Sequence, residues 1–193
     1  MGRMYKGVTK IFGIYWKAYG GLEALLRSPY FHLALLLLAL TYNTWLQKDW
    51  WTDVISALPN LLGFTLGGFA IFIGFGDERF RQLLADPEVD SEGNEVPTIY
   101  VSLCSTFVHF IIVQLSALIY ALIAKAWWFY FPWPSFIAEL MPVFRSISWA
   151  AGFGLFLYAL TSVLAATMHV FRIANMYEKY RRSPACDNSA PRA

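Results

Sequence analysis

Charged side chains are scarce in this chain: Asp, Glu, Lys and Arg make up 15% of its 193 residues, while apolar side chains make up 58%. No polar stretch is long enough to build a separate soluble domain, so one membrane unit is expected. Cysteine is almost missing. Cys104 and Cys186 offer neither a disulfide framework nor metal-ligand spacing. The three histidines, His32, His109 and His169, lie far apart in sequence with no carboxylate close by. Neither a metal nor a cofactor is expected. His-Glu-x-x-His, Gly-x-Ser-x-Gly, phosphate-loop and dinucleotide patterns are all missing, and no acidic residue stands at the centre of an apolar run. The chain therefore reads as a non-enzyme that does not bind nucleic acid directly.

What the sequence does contain is four apolar runs, at 29–46, 53–76, 98–124 and 147–171. Each approaches the roughly 20 residues needed to cross about 30 Å of hydrocarbon. The expected fold is an all-α membrane protein with four transmembrane helices. Twelve of the 15 Lys and Arg fall before the first run, between the second and third, or after the fourth; Lys48, Lys125 and Arg145 fall on the other side. The positive-inside rule then places both termini of a multi-pass membrane protein in the cytoplasm. Seven of the eight Trp (Trp45, Trp50, Trp51, Trp127, Trp128, Trp133 and Trp149) gather at the opposite ends, as an interfacial aromatic belt would. No cleavable signal is expected, because the first run is long enough to span and no small-residue cleavage pattern follows it.

Residues 1–27 carry Met4, Val8, Ile11, Phe12, Tyr15, Tyr19, Leu22 and Leu26 at helical spacing, with Lys6, Lys10 and Lys17 on another face. This predicts an amphipathic cytoplasmic helix that lies on an anionic leaflet or packs on the cytoplasmic ends of the spans. Gly20-Gly21 should break it from the first span, which opens at Ser28-Pro29. The membrane domain then runs over 28–176, followed by a flexible cytoplasmic tail, 177–193. Between the second and third spans, 77–97 is an acidic cytoplasmic loop carrying Asp77, Glu78, Asp86, Glu88, Asp90, Glu92 and Glu95. Gly74 and Gly76 should end the second span, and Asp77 should cap a short helix through Leu84. Lys6, Lys10, Lys17, Asp77, Glu78, Glu88 and Glu92 are the candidate contacts with a membrane surface or a soluble partner.

Within the spans, three faces stand out at about 100° per residue. Asn60, Gly63, Gly67, Ala70 and Gly74 form a small-residue seam suited to close helix packing. Ser102, Ser105, Thr106, His109, Ser116 and Tyr120 form the most polar face, of which Ser102, Ser105, His109, Ser116 and Tyr120 are the candidate pore, gating or polar-core residues. Ala151, Gly154, Tyr158, Thr161, Ser162, Ala165 and His169 form the third, with Gly154 and Ala165 as packing positions. A shared interior for all three is expected. His109 should lie near the midplane and Gln114 off the polar face, while the Leu-rich first span faces lipid. Pro59-Asn60 is expected to bend the second span.

The stretch Leu58-Pro59-Asn60-Leu61-Leu62-Gly63-Phe64 through Gly67-Gly68 to Gly74-Phe75-Gly76-Asp77-Glu78 resembles a segment of small four-span bacterial membrane proteins found beside anti-phage genes. The closest kind is the membrane subunit of Kiwa-type defence systems. The resemblance covers about twenty residues and the four-span layout, without a functional motif. It implies a homo-oligomeric membrane sensor or scaffold that signals to, or holds, a soluble cytoplasmic effector. The residues themselves leave a small oligomeric ion channel or pore as the alternative, lined by the Ser/His face.

Overall fold

The computed structural model describes residues 2–47, 49–74, 76, 78–89, 93, 95–130 and 141–182, and these are almost entirely helical. Eight helices follow in order among the described residues: α1 (Gly2–Tyr19), α2 (Gly21–Arg27), α3 (Pro29–Leu40), α4 (Tyr42–Trp45), α5 (Trp50–Gly74), α6 (Glu78–Ala85), α7 (Ile99–Tyr130) and α8 (Met141–Arg182). Three of them, α5, α7 and α8, are long and apolar enough to cross a membrane. A fourth span exists if α2 and α3, bent by 57° at Ser28, count as one. Within the expected first span, 29–46, the helix is interrupted at Thr41, between α3 and α4. Its straight part, α3, has 12 residues, about 18 Å of helix, well short of a bilayer core.

The breaks expected from local chemistry are present. Gly20 takes φ 98°, the left-handed region that glycine enters without steric cost, and separates α1 from α2. Ser28 is extended and Pro29 occupies the first turn of α3. Helix α5 continues through Pro59 and ends at Gly74. Gly76, at φ 82°, turns the chain into α6, and a Cβ there would stand 2.6 Å from the Phe80 ring. Asp77, the expected cap, lies outside the described residues. The acidic loop contains an antiparallel pair of two-residue strands, β1 (Glu88–Val89) and β2 (Glu95–Val96); Glu92 lies outside the described residues.

Helix α8 is the hub, packing against α3, α5 and α7, while α7 also contacts α5, α6 and α1. Two cores form along it. At one end Trp50, Trp51 and Trp149 pack with Val54, Leu58, Val113, Phe153 and Leu157. At the other, Phe72, Phe80, Leu84, Phe107, Phe110, Ala165 and Ile173 pack together, with Tyr177 and Tyr180 beside them. Trp50, Trp51 and Trp149 are therefore core residues, buried to 2%, 0% and 6% exposure, and not members of a lipid-facing belt; Trp127 remains exposed. The tail expected from 177 also differs. Helix α8 runs to Arg182, where Tyr177 meets Phe80 of α6 edge-on and Tyr180 packs on it at a tilt, with ring centroids 5.0 and 5.5 Å away.

The small-residue seam does not reach the interior. At Gly63, Gly67 and Gly74 an added Cβ would meet nothing within 4 Å, and Asn60 is exposed. On a helical plot the seam lies opposite the buried Val54, Leu58, Thr65 and Phe72. Small residues permit close approach but do not say which side approaches. The close packing occurs elsewhere, at Gly152, where a Cβ would stand 2.5 Å from both Trp50 and Tyr120. Gly154 packs beside Leu38, and Ala165 is buried.

Candidate functional site: a tyrosine-histidine clasp

His109 on α7, buried to 4% exposure, is hydrogen-bonded at both ring nitrogens. Its Nδ1 lies 2.7 Å from the Tyr15 hydroxyl of α1, and its Nε2 lies 2.9 Å from the Tyr158 hydroxyl of α8. As a neutral imidazole it holds one N–H donor and one acceptor nitrogen, so one tyrosine donates to it and the other accepts from it. Both nitrogens are satisfied in either tautomer. The Tyr19 ring stacks on the imidazole at a centroid distance of 3.9 Å and an interplanar angle of 15°. Its hydroxyl lies 3.5 Å from that of Tyr158, beyond the usual range for a hydroxyl pair. Phe31 of α3 meets Tyr158 edge-on at 5.5 Å. Helices α1 and α8 therefore converge on one imidazole of α7, with α3 one ring further out.

The local reason is the four-residue spacing of Tyr15 and Tyr19, which puts both rings on the same side of α1. Each phenol buries an aromatic body while keeping a polar tip for the histidine. Burial first, and the neighbouring Tyr19 second, push the Tyr15 hydroxyl up to about 12 from the ordinary 10.0; burial also raises Tyr19. The phenols therefore stay protonated and able to donate over any physiological pH.

The five candidates on α7 occupy different surroundings. Ser105 and His109 are buried, Ser102 and Ser116 are exposed, and Tyr120 is half-buried. Ser105 donates to the Ser102 carbonyl, whereas Tyr120 is tied to the Ser148 carbonyl at 3.0 Å and hydroxyl at 2.7 Å. The polar arc turns toward α1 at His109 and is uncovered at Ser116, so the five do not line one path within the protomer. His109 thus lies between α1, α7 and α8, with Phe31 at the start of α3 beyond Tyr158, and not in an interior shared by α5, α7 and α8. Gln114 does lie off this face. Its Nε2 donates to Thr65 Oγ1 on α5 at 2.9 Å, while Oε1 has no partner among the described residues. Thr161 of α8 donates to the Tyr30 carbonyl of α3 at 3.0 Å. A crevice of about 110 Å³ between α5 and α8, lined by Gly68, Ile71, Phe72, Val170, Ile173 and Ala174, is apolar.

Tyr15, Tyr19, Tyr158 and Thr65 are not among the sequence-predicted site residues; Tyr158 stands on the third face without a role. The signal for the first two was a pair of phenols, one turn apart, in a stripe otherwise filled by aliphatic side chains and Phe. Among the partner candidates, Lys6, Lys10, Lys17 and Glu78 are exposed, and Glu88 stands in β1. Among the described residues no group of three or more His, Cys, Asp or Glu is placed to hold a metal ion. Compared with known proteins, the chain matches no family model, no curated protein and no solved structure.

Proposed function

We propose that this chain is a non-enzymatic, self-associating protein of the bacterial inner membrane, with both termini in the cytoplasm, that reads the state of the bilayer through α1 and relays it to a soluble cytoplasmic partner. The observation that carries the reading is the clasp. An amphipathic helix at the end of the chain is joined by Tyr15, His109 and Tyr158 to the two longest spans. Any force that tilts or lifts α1 acts directly on the α7–α8 pair. The acidic loop and the α8 extension beside α6 supply the surface for the partner, and a place in anti-phage defence rests on the resemblance of the 58–78 stretch.

Self-association is supported by the seam of Gly63, Gly67 and Gly74, which is open in the protomer and has the spacing for close backbone approach. Replacing Gly63 and Gly67 together by leucine is expected to lower the cross-linked oligomer roughly tenfold while holding or raising the protomer's melting temperature. Cross-linking in native membranes beside a thermal melt checks both halves, and an unchanged ladder would remove the seam from the interface.

The sensing role is tested in proteoliposomes of the full-length chain subjected to osmotic downshift. A probe on α1 should change its accessibility while no ions flow. Ion flux under the stimulus, with α1 unmoved, would instead support a pore.

A further inference from the structure

Helix α1 uses only part of its apolar stripe to dock. Tyr15 and Tyr19 reach His109, but Tyr5, Val8, Ile11 and Phe12 expose between 53% and 69% of their surface. On a helical plot all six share an arc of about 120°, so the stripe that clasps α7 continues, uncovered, toward the N-terminus. Lys6, Lys10 and Lys17 occupy about 40° of arc directly opposite. All three are exposed and, among the described residues, make no ion pair. An amphipathic helix such as α1 gains most of its stability from burying its apolar side.

We infer that the uncovered part of α1 is a binding surface for anionic phospholipid. The aliphatic and aromatic stripe enters the boundary between headgroups and acyl chains, and the three lysines face the phosphate layer from above. Two features favour a lipid over a protein occupant. The exposed stripe belongs to a helix tethered within about ten residues of an apolar span, so a bilayer is always within reach. The opposite face is uniformly basic, which complements a negatively charged leaflet within one Debye length. The inference deepens the proposed sensing role, which it takes as its starting point, by naming the ligand of α1.

The test uses the full-length chain with Cys104→Ser, Cys186→Ser and Phe12→Cys, labelled at position 12 with a fluorophore that brominated acyl chains quench. It is reconstituted into phosphatidylcholine bilayers with or without phosphatidylglycerol. Strong quenching that needs the anionic lipid and falls several-fold with Lys6→Glu, Lys10→Glu and Lys17→Glu together is the expected result. Equal quenching in both bilayers, indifferent to charge reversal, would overturn the anionic preference. Absence of quenching in either, with the label instead shielded in proportion to protein density, would assign the stripe to a second copy and overturn the inference. Anion-dependent quenching that ignores osmotic downshift would keep the lipid surface and discard only the sensing role.

Discussion

Gly152→Ala is expected to destabilise the bundle by about 3 kcal/mol, the upper part of the range for overpacking a tight core. The new Cβ would stand 2.5 Å from Trp50 Cη2 and from the Tyr120 ring. Neither ring can swing away cheaply. Tyr120 is held at its hydroxyl by Ser148, and Trp50 is wedged edge-on between Trp51 and Phe153. The sign of the effect is the informative part. In an open helical position alanine is favoured over glycine by up to about 1 kcal/mol. Gly68→Ala, where an added Cβ meets nothing within 4 Å, should therefore hold or raise the melting temperature. Thermal melts of the two variants in the same nanodisc decide it; matched behaviour would mean that the α5–α7–α8 contact at Gly152 is looser than its geometry.

His109→Leu is expected to release α1 while the spans stay assembled. It removes both hydrogen bonds of the clasp and leaves the buried Tyr158 hydroxyl short of a partner, a loss of about 1–3 kcal/mol. Bonds of this kind between membrane helices average nearer 0.6 kcal/mol, so the lower half of that range is the better guide. That still matters for α1, none of whose described side chains is fully buried. A loss of about 1.4 kcal/mol lowers the ratio of docked to released α1 roughly tenfold, and so raises the released fraction. Limited trypsin digestion should then cut faster at Lys10 and Lys17, since released segments fray and are cleaved from the open state. Adding Tyr158→Phe to His109→Leu should restore the melt of the bundle, because an apolar pair leaves nothing unsatisfied, without slowing the cleavage. Unchanged cleavage in His109→Leu would mean that α1 is held by something other than the clasp.

Much of the fold was legible because hydropathy and punctuation act locally. Gly20, Ser28-Pro29, Gly74 and Gly76 mark breaks that depend only on backbone preferences. The features that were not legible depend on neighbours. Helix α8 outlasts its apolar run by more than two turns because Tyr177 and Tyr180 have Phe80 to pack on, and no pattern within α8 announces α6. The glycine seam of α5 was visible as a face, but its direction is set by where α7 and α8 lie. His109 was visible as a polar residue in an apolar run, whereas its partners were hidden in a stripe of α1 that reads as apolar. Tyrosine satisfies both descriptions, and only the fold reveals which end of the side chain matters.

The clasp itself is open to one direct measurement. With only three histidines in the chain, selective ¹⁵N labelling of histidine in nanodiscs gives a spectrum in which the His109 ring nitrogens can be assigned by the loss of their signals in His109→Leu. Tyr15→Phe should shift His109 Nδ1 and Tyr158→Phe should shift Nε2, while His32 and His169 stay in place. If Tyr15→Phe leaves both His109 nitrogens unmoved, α1 is not joined to the spans through this ring, and the proposed route from bilayer to bundle fails with it.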